Sequence, residues 1–431
     1  MRCTWRSVIL VGLATACVAA AAACAAAAEG PSPAGRPPKT DAPQAKDEAK
    51  APEEPEKVGE AAPPSKPQET LPKTTPPRKL GEAAAALRDR VRRTIARYSQ
   101  QPLNTGDNSA AEIVHVCLAF GCDAEVRYGS AASNPLNAVG CLCYGYPCAG
   151  YQLLVAGENP KVMARVGYGL QEHPSEMLAV LAQAAVPADY EIRLGKYRGT
   201  VADLVEAEKL TCLPGDELAH KLIGLAFYVR SEEGWKDLGG REWTVEKVLE
   251  EELNRSPATD RCDVAHHLMS LSYAVERRAR AGKPLEGPYR RAQKYVAEFQ
   301  DFAFSLQNRE GGWHPGFFAL RGTSRDVPGL LRSTGHVLEW LAFSLPEDRL
   351  SDPRVVKSVS YVADLLGGES YAGWSAATTT PREIDSVAHA LHALRIYDRR
   401  AFEPFDAPPA KKPTPSQAKA PRSGQGSAKT R

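Results

Sequence analysis

The chain has 431 residues and a formal net charge of +2, because 54 lysines and arginines nearly balance 52 acidic residues. Proteins that bind nucleic acid usually carry a clear basic excess, so this balance gives no support for a nucleic-acid partner. The 34 prolines and 34 glycines are spread unevenly along the chain, and this unevenness divides it into regions.

Residues 1–28 have the pattern of a secretory signal peptide. Arg2 and Arg6 precede an uncharged apolar run over 8–28 that ends in alanines. A basic start, an apolar stretch and small residues before a cleavage point are typical of export signals. The run is also long enough to span a bilayer, so an uncleaved membrane anchor is the alternative interpretation. We therefore expect an exported protein, in the periplasm, in the cell envelope or outside the cell.

Two further segments are predicted to be disordered. Residues 29–80 form a Pro-rich linker with almost no large apolar side chain, and such a composition cannot bury enough surface to offset the entropy of ordering. Residues 407–431 form a basic tail that is again rich in Pro, Ala and Ser. Its charge suggests contact with an anionic membrane surface or with a cell-envelope polymer.

Residues 81–406, between these arms, contain an internal repeat. Six apolar stretches align without gaps on one position, which we call the slot. The slot residues are His115, Met177, His220, His266, His336 and His389. These stretches are apolar on nearly all sides, which is typical of buried helices. Amphipathic, more charged stretches lie between them, over 82–98, 200–210, 245–253, 288–306 and 353–366.

This alternation predicts an all-α domain, specifically an (α/α)6 toroid with inner and outer helices. Parallel inner helices bring their first turns to one mouth of such a ring. The slots are expected to fall in those first turns, so the five histidines are expected to face or flank one cavity. We expect an unknown ligand to bind at this mouth.

Residues 123–171 interrupt the helical pattern near the N-terminal end of the domain. Strands are predicted over 140–144, 151–156 and 161–167, so we expect a small β-rich, Cys-rich insertion in place of one outer helix.

Five cysteines lie in or beside this insertion. Export favours disulfides, and two bridges between the insertion and the first inner helix are predicted. A second metal site that joins His115 to Cys117 is the alternative. With Cys212 and Cys262 the count after signal cleavage is odd, and Cys262 is expected to be a free thiol. The five candidates for disulfides are Cys117, Cys122, Cys141, Cys143 and Cys148.

Residues 302–313 read FAFSLQNREGGW, which resembles the QW repeat. With this motif and the alternating helices, the chain resembles the α/α-toroid superfamily of squalene and terpenoid cyclases and protein prenyltransferase β-subunits. It looks most similar to uncharacterised exported bacterial proteins with this repeat. The resemblance implies a toroid whose outer helices are braced by Gln307 and Trp313. The Asp-x-Asp-Asp motif of the cyclases is absent, and Asp260-Arg-Cys-Asp263 does not replace it. Terpenoid-cyclase-like activity is therefore the weakest alternative.

The prenyltransferase resemblance implies a zinc site. In that family an Asp-x-Cys before one inner helix and a histidine on a later helix hold zinc. Carried over to this chain, the ligands would be Asp260, Cys262 and His336. His266 lies one helical turn after Cys262, on the same face, and joins this set. Prenyl transfer itself is not expected, because no basic diphosphate pocket is evident.

Two classes of function remain open. The first is a toroid that binds its ligand without catalysis. The second is a zinc- or histidine-dependent lyase or hydrolase acting on an envelope polymer, with His266, His336 and Asp263 as the catalytic candidates. Each has a structural alternative, because buried histidines often bond to core carbonyls or carboxylates, and Asp263 could simply cap its helix.

Overall fold

The computed structural model describes residues 80–371 and 380–403. The predicted signal peptide (1–28), the basic tail (407–431) and all of the predicted linker except Leu80 lie outside the described residues. Within the described ranges, no helix combines the length and the apolar character needed to cross a membrane.

Helices account for 56% of the described residues and strands for 10%, which confirms a mostly helical domain. The α-helices of the described ranges are α1 (Glu82–Ser99), α2 (Ala110–Phe120), α3 (Ala138–Cys143), α4 (Glu176–Gln183), α5 (Val201–Leu210), α6 (Ala219–Tyr228), α7 (Val245–Asn254), α8 (Asp263–Arg280), α9 (Gly287–Leu306), α10 (Val327–Ser344), α11 (Pro353–Gly367) and α12 (Pro381–Ala401).

Six of these helices, which we call the ring helices, contact one another in a closed cycle. Contacts run in chain order from α2 to α4, α6, α8, α10 and α12, and α12 then contacts α2. Each ring helix contains one of the six predicted apolar stretches, and its residues there are buried on nearly every side. The predicted amphipathic stretches form α1, α5, α7, α9 and α11, each of which packs against at least one ring helix.

Local sequence signals explain where the ring helices begin. Ser109 and Glu112 form a capping box at the start of α2, and Thr380 and Glu383 form one at the start of α12. These reciprocal bonds satisfy backbone N–H groups of the first turn. At α10, the side chain of Asp326 accepts from the backbone of Gly329.

The prediction that every slot lies in the first turn of its helix is wrong for α2, α10 and α12. His115 lies five residues after the start of α2. Helix α10 begins at Val327, nine residues before His336, and α12 begins at Pro381, eight residues before His389. Proline near the start of a helix loses no hydrogen bond there.

Helices α10 and α12 approach each other closely. A Cβ atom at Gly335 would lie only 3.0 Å from the backbone nitrogen of Ala390, so a side chain at this position would push the helices apart. The neighbouring residues, His336 and His389, consequently stack with ring centroids 3.7 Å apart.

The strands of the described ranges are short and form small sheets. Strands β1, β2 and β3 form a three-stranded sheet, in which β1–β2 is parallel and β2–β3 antiparallel, and three antiparallel pairs follow. The strands are β1 (Leu103–Asn104), β2 (Glu125–Arg127), β3 (Pro135–Asn137), β4 (Leu154–Ala156), β5 (Val162–Ala164), β6 (Glu191–Leu194), β7 (Tyr197–Thr200), β8 (Gly234–Lys236) and β9 (Glu242–Thr244).

The segment 123–171 is mixed rather than only β-rich. Two of its predicted strands, over 151–156 and 161–167, contain β4 and β5, which pair as a hairpin. The strand predicted over 140–144 is wrong, because α3 occupies most of this range. The side chain of Asn137 accepts from the backbone of Gly140 and so caps this short helix.

The QW-like segment connects α9 to α10 and α11. Trp313 is fully buried, and its indole N–H donates to the carbonyl of Ala303 at 2.8 Å. The amide nitrogen of Gln307 donates to Ser358 Oγ at 2.6 Å and to the carbonyl of Arg354 at 3.0 Å. Both acceptors lie on α11, so Gln307 ties the end of α9 to that helix, while Trp313 anchors the following loop to α9.

Candidate metal centre

A cavity of about 40 Å³ lies among the six ring helices, each of which contributes side chains to its wall. A water molecule needs roughly 10–15 Å³ of such space, so the cavity has room for about three. Its lining residues are His115, Leu118, Glu172, His173, Glu176, Val180, Gln183, His220, Ile223, Cys262, Ala265, His266, Met269, Arg332, His336, Glu339, Asp385 and His389.

The wall is organised in three levels that follow the repeat. The middle level is the slot itself, from which all five predicted histidines line the cavity. The upper level lies four residues before the slot, and the lower level lies three residues after it; positions at these spacings share one helix face. The upper-level lining residues are His173, Cys262, Arg332 and Asp385, and the lower-level ones are Leu118, Val180, Ile223, Met269 and Glu339.

The structure brings the five predicted slot histidines together. His266 lies at the centre, with ring centroids 4.8 Å from His220, 5.4 Å from His336 and 5.8 Å from His389. The ring of His115 lies 5.6 Å from that of His389. All five side chains are buried or nearly so, so they meet in an environment where an unsatisfied polar atom is costly.

Three of the four predicted metal ligands converge. Sγ of Cys262 and one ring nitrogen each of His266 and His336 lie within 4.8 Å of one another. Asp260 does not join them. Its side chain is 62% exposed and pairs with its neighbour Arg261, because it stands in the turn before α8 rather than on the inner face of that helix.

Asp263, a predicted catalytic residue, also lies outside the cavity wall. Its carboxylate accepts from Arg255 at 2.8 Å and from the backbone of Ala258 at 2.7 Å. These bonds fix the loop before α8. Asp263 therefore has a structural role and is not hydrogen-bonded to His266, which lies three residues later.

Several buried ring nitrogens in the cavity lack a hydrogen-bond partner among the described residues. They are both nitrogens of His266, Nε2 of His336 and Nδ1 of His220. His336 donates its other N–H, from Nδ1, to the carbonyl of Arg332 at 2.8 Å. Buried polar atoms are almost always satisfied in proteins, and an outward N–H···O=C bond with a bare inner nitrogen is the usual state of a metal-binding histidine.

A second group, on ring helices α2 and α12, consists of His115, Asp385 and His389. Oδ1 of Asp385 lies 3.2 Å from Nε2 of His115 and 3.5 Å from Nε2 of His389. The Nδ1 atoms of both histidines point away from this oxygen, to the carbonyl of Ala111 and to Glu339. The sequence analysis did not select Asp385, although this residue lies four residues before a slot, in the upper level.

A third group, His173, Glu217, His220 and His266, lies towards the more exposed edge of the cavity. Nδ1 of His173 is 2.9 Å from Oε1 of Glu217, whereas Nδ1 of His220 is 4.0 Å from the same atom. The sequence analysis missed His173 because its slot holds Met177. The upper-level spacing that marks Cys262 would have found it.

Burial lowers the pKa of an imidazole because the charged ring is poorly solvated. Burial and the neighbouring imidazoles hold the pKa of His266 and of His220 well below the usual range. At His336, burial and the charge of His389 lower the pKa to about 3. These rings are therefore neutral at pH 7, which is the form that binds metals.

The carboxylates have the opposite effect elsewhere in the cavity. Burial alone would lower the pKa of His115, but its hydrogen bond with Asp385 raises it to about 10. Burial likewise acts against the charged form of His173, but hydrogen bonds with Cys262 and Glu217 raise its pKa to about 11. The protonated, positively charged ring is therefore favoured at both His115 and His173.

The predicted disulfides are not formed in the structure, where all the described cysteines are thiols. Cys117, Cys141, Cys143 and Cys148 are nevertheless buried in one core cluster, and the Cys122 thiol donates to the carbonyl of Ala184 at 3.1 Å. The oxidised pairing stays a prediction for an exported chain. Cys262 lines the cavity and accepts from Arg332 at 3.1 Å.

No protein-family model, curated protein or solved structure matches this chain.

Proposed function

We propose that the protein binds a zinc-class metal ion through Cys262, His266 and His336 and uses it to hydrolyse a ligand that binds at the mouth of the cavity. The observation that carries this proposal is the set of buried, bare nitrogens on His266 and His336 beside the Cys262 thiol. Leaving such atoms unsatisfied costs about 1–3 kcal/mol each, and one metal ion would satisfy all three donors.

The donor types suit zinc. Thiolate and imidazole are its preferred ligands, and three protein donors leave the fourth tetrahedral position open, as in catalytic rather than structural sites. When bound, zinc supplies Lewis acidity at that position. The shell around the donors supports the fit, since the Nδ1–H of His336 is fixed by a backbone carbonyl and Arg332 donates to Cys262.

His173 is the best-placed group for proton transfer. It is half-buried at the edge of the cavity, hydrogen-bonded to Cys262, and oriented by Glu217 at 2.9 Å from its Nδ1. A carboxylate behind an imidazole fixes the tautomer and stabilises the protonated ring. The protonated His173 would donate its proton to the leaving group, and the proton that the attacking water loses would restore it.

The closed cycle of ring helices supports an (α/α)6 toroid of the type seen in cyclases and prenyltransferase β-subunits, with the cavity at its mouth. The cavity gives no support to terpenoid cyclisation, because most of its lining residues are polar or ionisable and an isoprenoid chain needs an apolar surround. An exported hydrolase would meet envelope polymers, which are the substrate class that we propose. The rival is a toroid that binds its ligand without catalysis.

Metal binding tests the proposal directly. The purified full chain, stripped with a chelator and then titrated with Zn²⁺ or Co²⁺, is expected to bind metal and to show thiolate-to-cobalt charge-transfer absorption. Cys262→Ser should abolish this absorption, whereas Cys212→Ser, a buried cysteine outside the cavity wall, should retain it. A chain that binds neither ion would contradict the proposal.

Catalysis requires a separate measurement. The zinc-loaded chain is expected to release soluble fragments from purified peptidoglycan, and the chelated chain is not. His173→Gln should lower the rate by about 10²- to 10⁴-fold, the usual contribution of a positioned acid–base group, without lowering zinc content. Zinc binding with no zinc-dependent release would favour the non-catalytic toroid.

A further inference from the structure

We propose that the cavity holds two divalent metal ions at once, the second on His115, Asp385 and His389. This inference rests on the proposed function, because it adds a second ion beside the one on Cys262, His266 and His336. The two donor sets share no residue. Neither set therefore has to be dismantled for the other to be filled.

The hydrogen bonds of the second set orient its nitrogens towards a cation. The carbonyl of Ala111 can only accept, so Nδ1 of His115, at 2.8 Å, carries the hydrogen. Nδ1 of His389 faces the carboxylate of Glu339 at 2.5 Å and likewise donates. The Nε2 atoms of both histidines therefore face Oδ1 of Asp385, at 3.2 and 3.5 Å. An imidazole with its only hydrogen on Nδ1 has a lone pair on Nε2 for a metal ion.

In the metal-free chain, a proton on Nε2 of His115 makes the hydrogen bond to Asp385. A divalent ion would displace this proton, because histidine binds metals in its neutral form, and one ion would serve both histidines and the carboxylate together. The backing of His389 by Glu339 and of His115 by a carbonyl are the outer bonds that metal-binding histidines characteristically make. Glu176, with Oε1 3.6 Å from Nε2 of His115, offers a further oxygen donor.

The two donor sets are also in direct contact. His336 of the first set stacks on His389 of the second, with centroids 3.7 Å apart. Arg332 donates to Cys262 at 3.1 Å and to Oδ2 of Asp385 at 3.2 Å, so one guanidinium touches both sets. The ions would therefore share one cavity, as in the paired sites that polarise a substrate from two sides.

Metal stoichiometry tests this inference. The chelated full chain is titrated with Co²⁺, metal bound per chain is measured after desalting, and the thiolate-to-cobalt absorption is followed. Two equivalents are expected. Asp385→Asn should reduce them to one and leave the absorption unchanged. Asp398→Asn, a carboxylate on the same helix that pairs with Arg92 at the outer surface, should still bind two, and circular dichroism checks that both variants are folded.

The outcomes separate the two proposals. One equivalent with thiolate absorption, unaffected by Asp385→Asn, would overturn the second site and leave the first. No bound cobalt would overturn both. Should Asp385→Asn fail to fold, His115→Gln replaces it, with His392→Gln as the matched histidine that contacts Glu339 but belongs to neither set. Two equivalents in His115→Gln would then overturn the second site.

Discussion

Buried polar groups are hydrogen-bonded in the QW-like brace, whereas several in the cavity lack partners among the described residues. In the brace, Trp313 and Gln307 donate to acceptors on α9 and α11; the first bond holds the loop to α9 and the second holds the end of α9 to α11. In the cavity, His266 and His336 keep bare nitrogens although both are buried. Buried polar groups that bond to one another stabilise a fold, whereas bare ones cost free energy and are retained where a ligand completes them.

The largest expected effect is in the brace. Trp313→Ala removes a fully buried indole and its bond to Ala303, and it should lower the free energy of unfolding by about 3–5 kcal/mol. Trp313→Phe keeps most of the apolar volume and should cost less. Urea denaturation of the metal-free chain measures both. Equal loss in the two variants would show that the hydrogen bond, rather than the packed volume, dominates.

Gln307→Ala should have a smaller effect of the same sign. It removes the donor to Ser358 and to the carbonyl of Arg354, and a lost bond of this kind typically costs about 1–3 kcal/mol. Gln101→Ala, at an exposed glutamine, should leave the unfolding midpoint unchanged. If both substitutions were neutral, the proposed bracing of α11 would be contradicted.

The smallest expected effect is a gain in the free energy of unfolding rather than a loss. His266→Leu replaces a buried ring that lacks partners, so it should stabilise the metal-free chain by about 1 kcal/mol and abolish the stabilisation by added zinc. The adjacent His267 contacts Glu252 at 2.7 Å, and His267→Leu should instead destabilise the chain by about 2 kcal/mol. Thermal unfolding with and without zinc separates the two. If both substitutions destabilised the chain, His266 would stabilise the fold, as His267 does, and would not be kept for a metal ion.

The sequence predicted the ring helices well because an apolar pattern interrupted by a fixed slot survives in each of them. It also predicted that His115, His220, His266, His336 and His389 approach one another, since equivalent positions on helices in a closed cycle face the same centre. Helix starts were less predictable, because α10 and α12 begin nine and eight residues before their slots, outside the aligned stretches.

The site was predicted in part, for a physical reason. Cys262 and His266 were found from their spacing on one helix face, but the same spacing was not applied to the other slots. It would have found His173, Arg332 and Asp385. Asp260 and Asp263 were chosen by proximity in the chain, whereas exposure removes the first from the cavity and Arg255 engages the second. Tertiary hydrogen bonds of this kind are not encoded in local spacing.

The second donor set has a consequence for the domain as a whole. His115 belongs to α2, the first ring helix in the sequence, and Asp385 and His389 belong to α12, the last. An ion held by these three side chains would cross-link the two ends of the ring at the one junction that chain connectivity does not secure. Loss of that ion would therefore loosen the α2–α12 seam before any other part of the cycle.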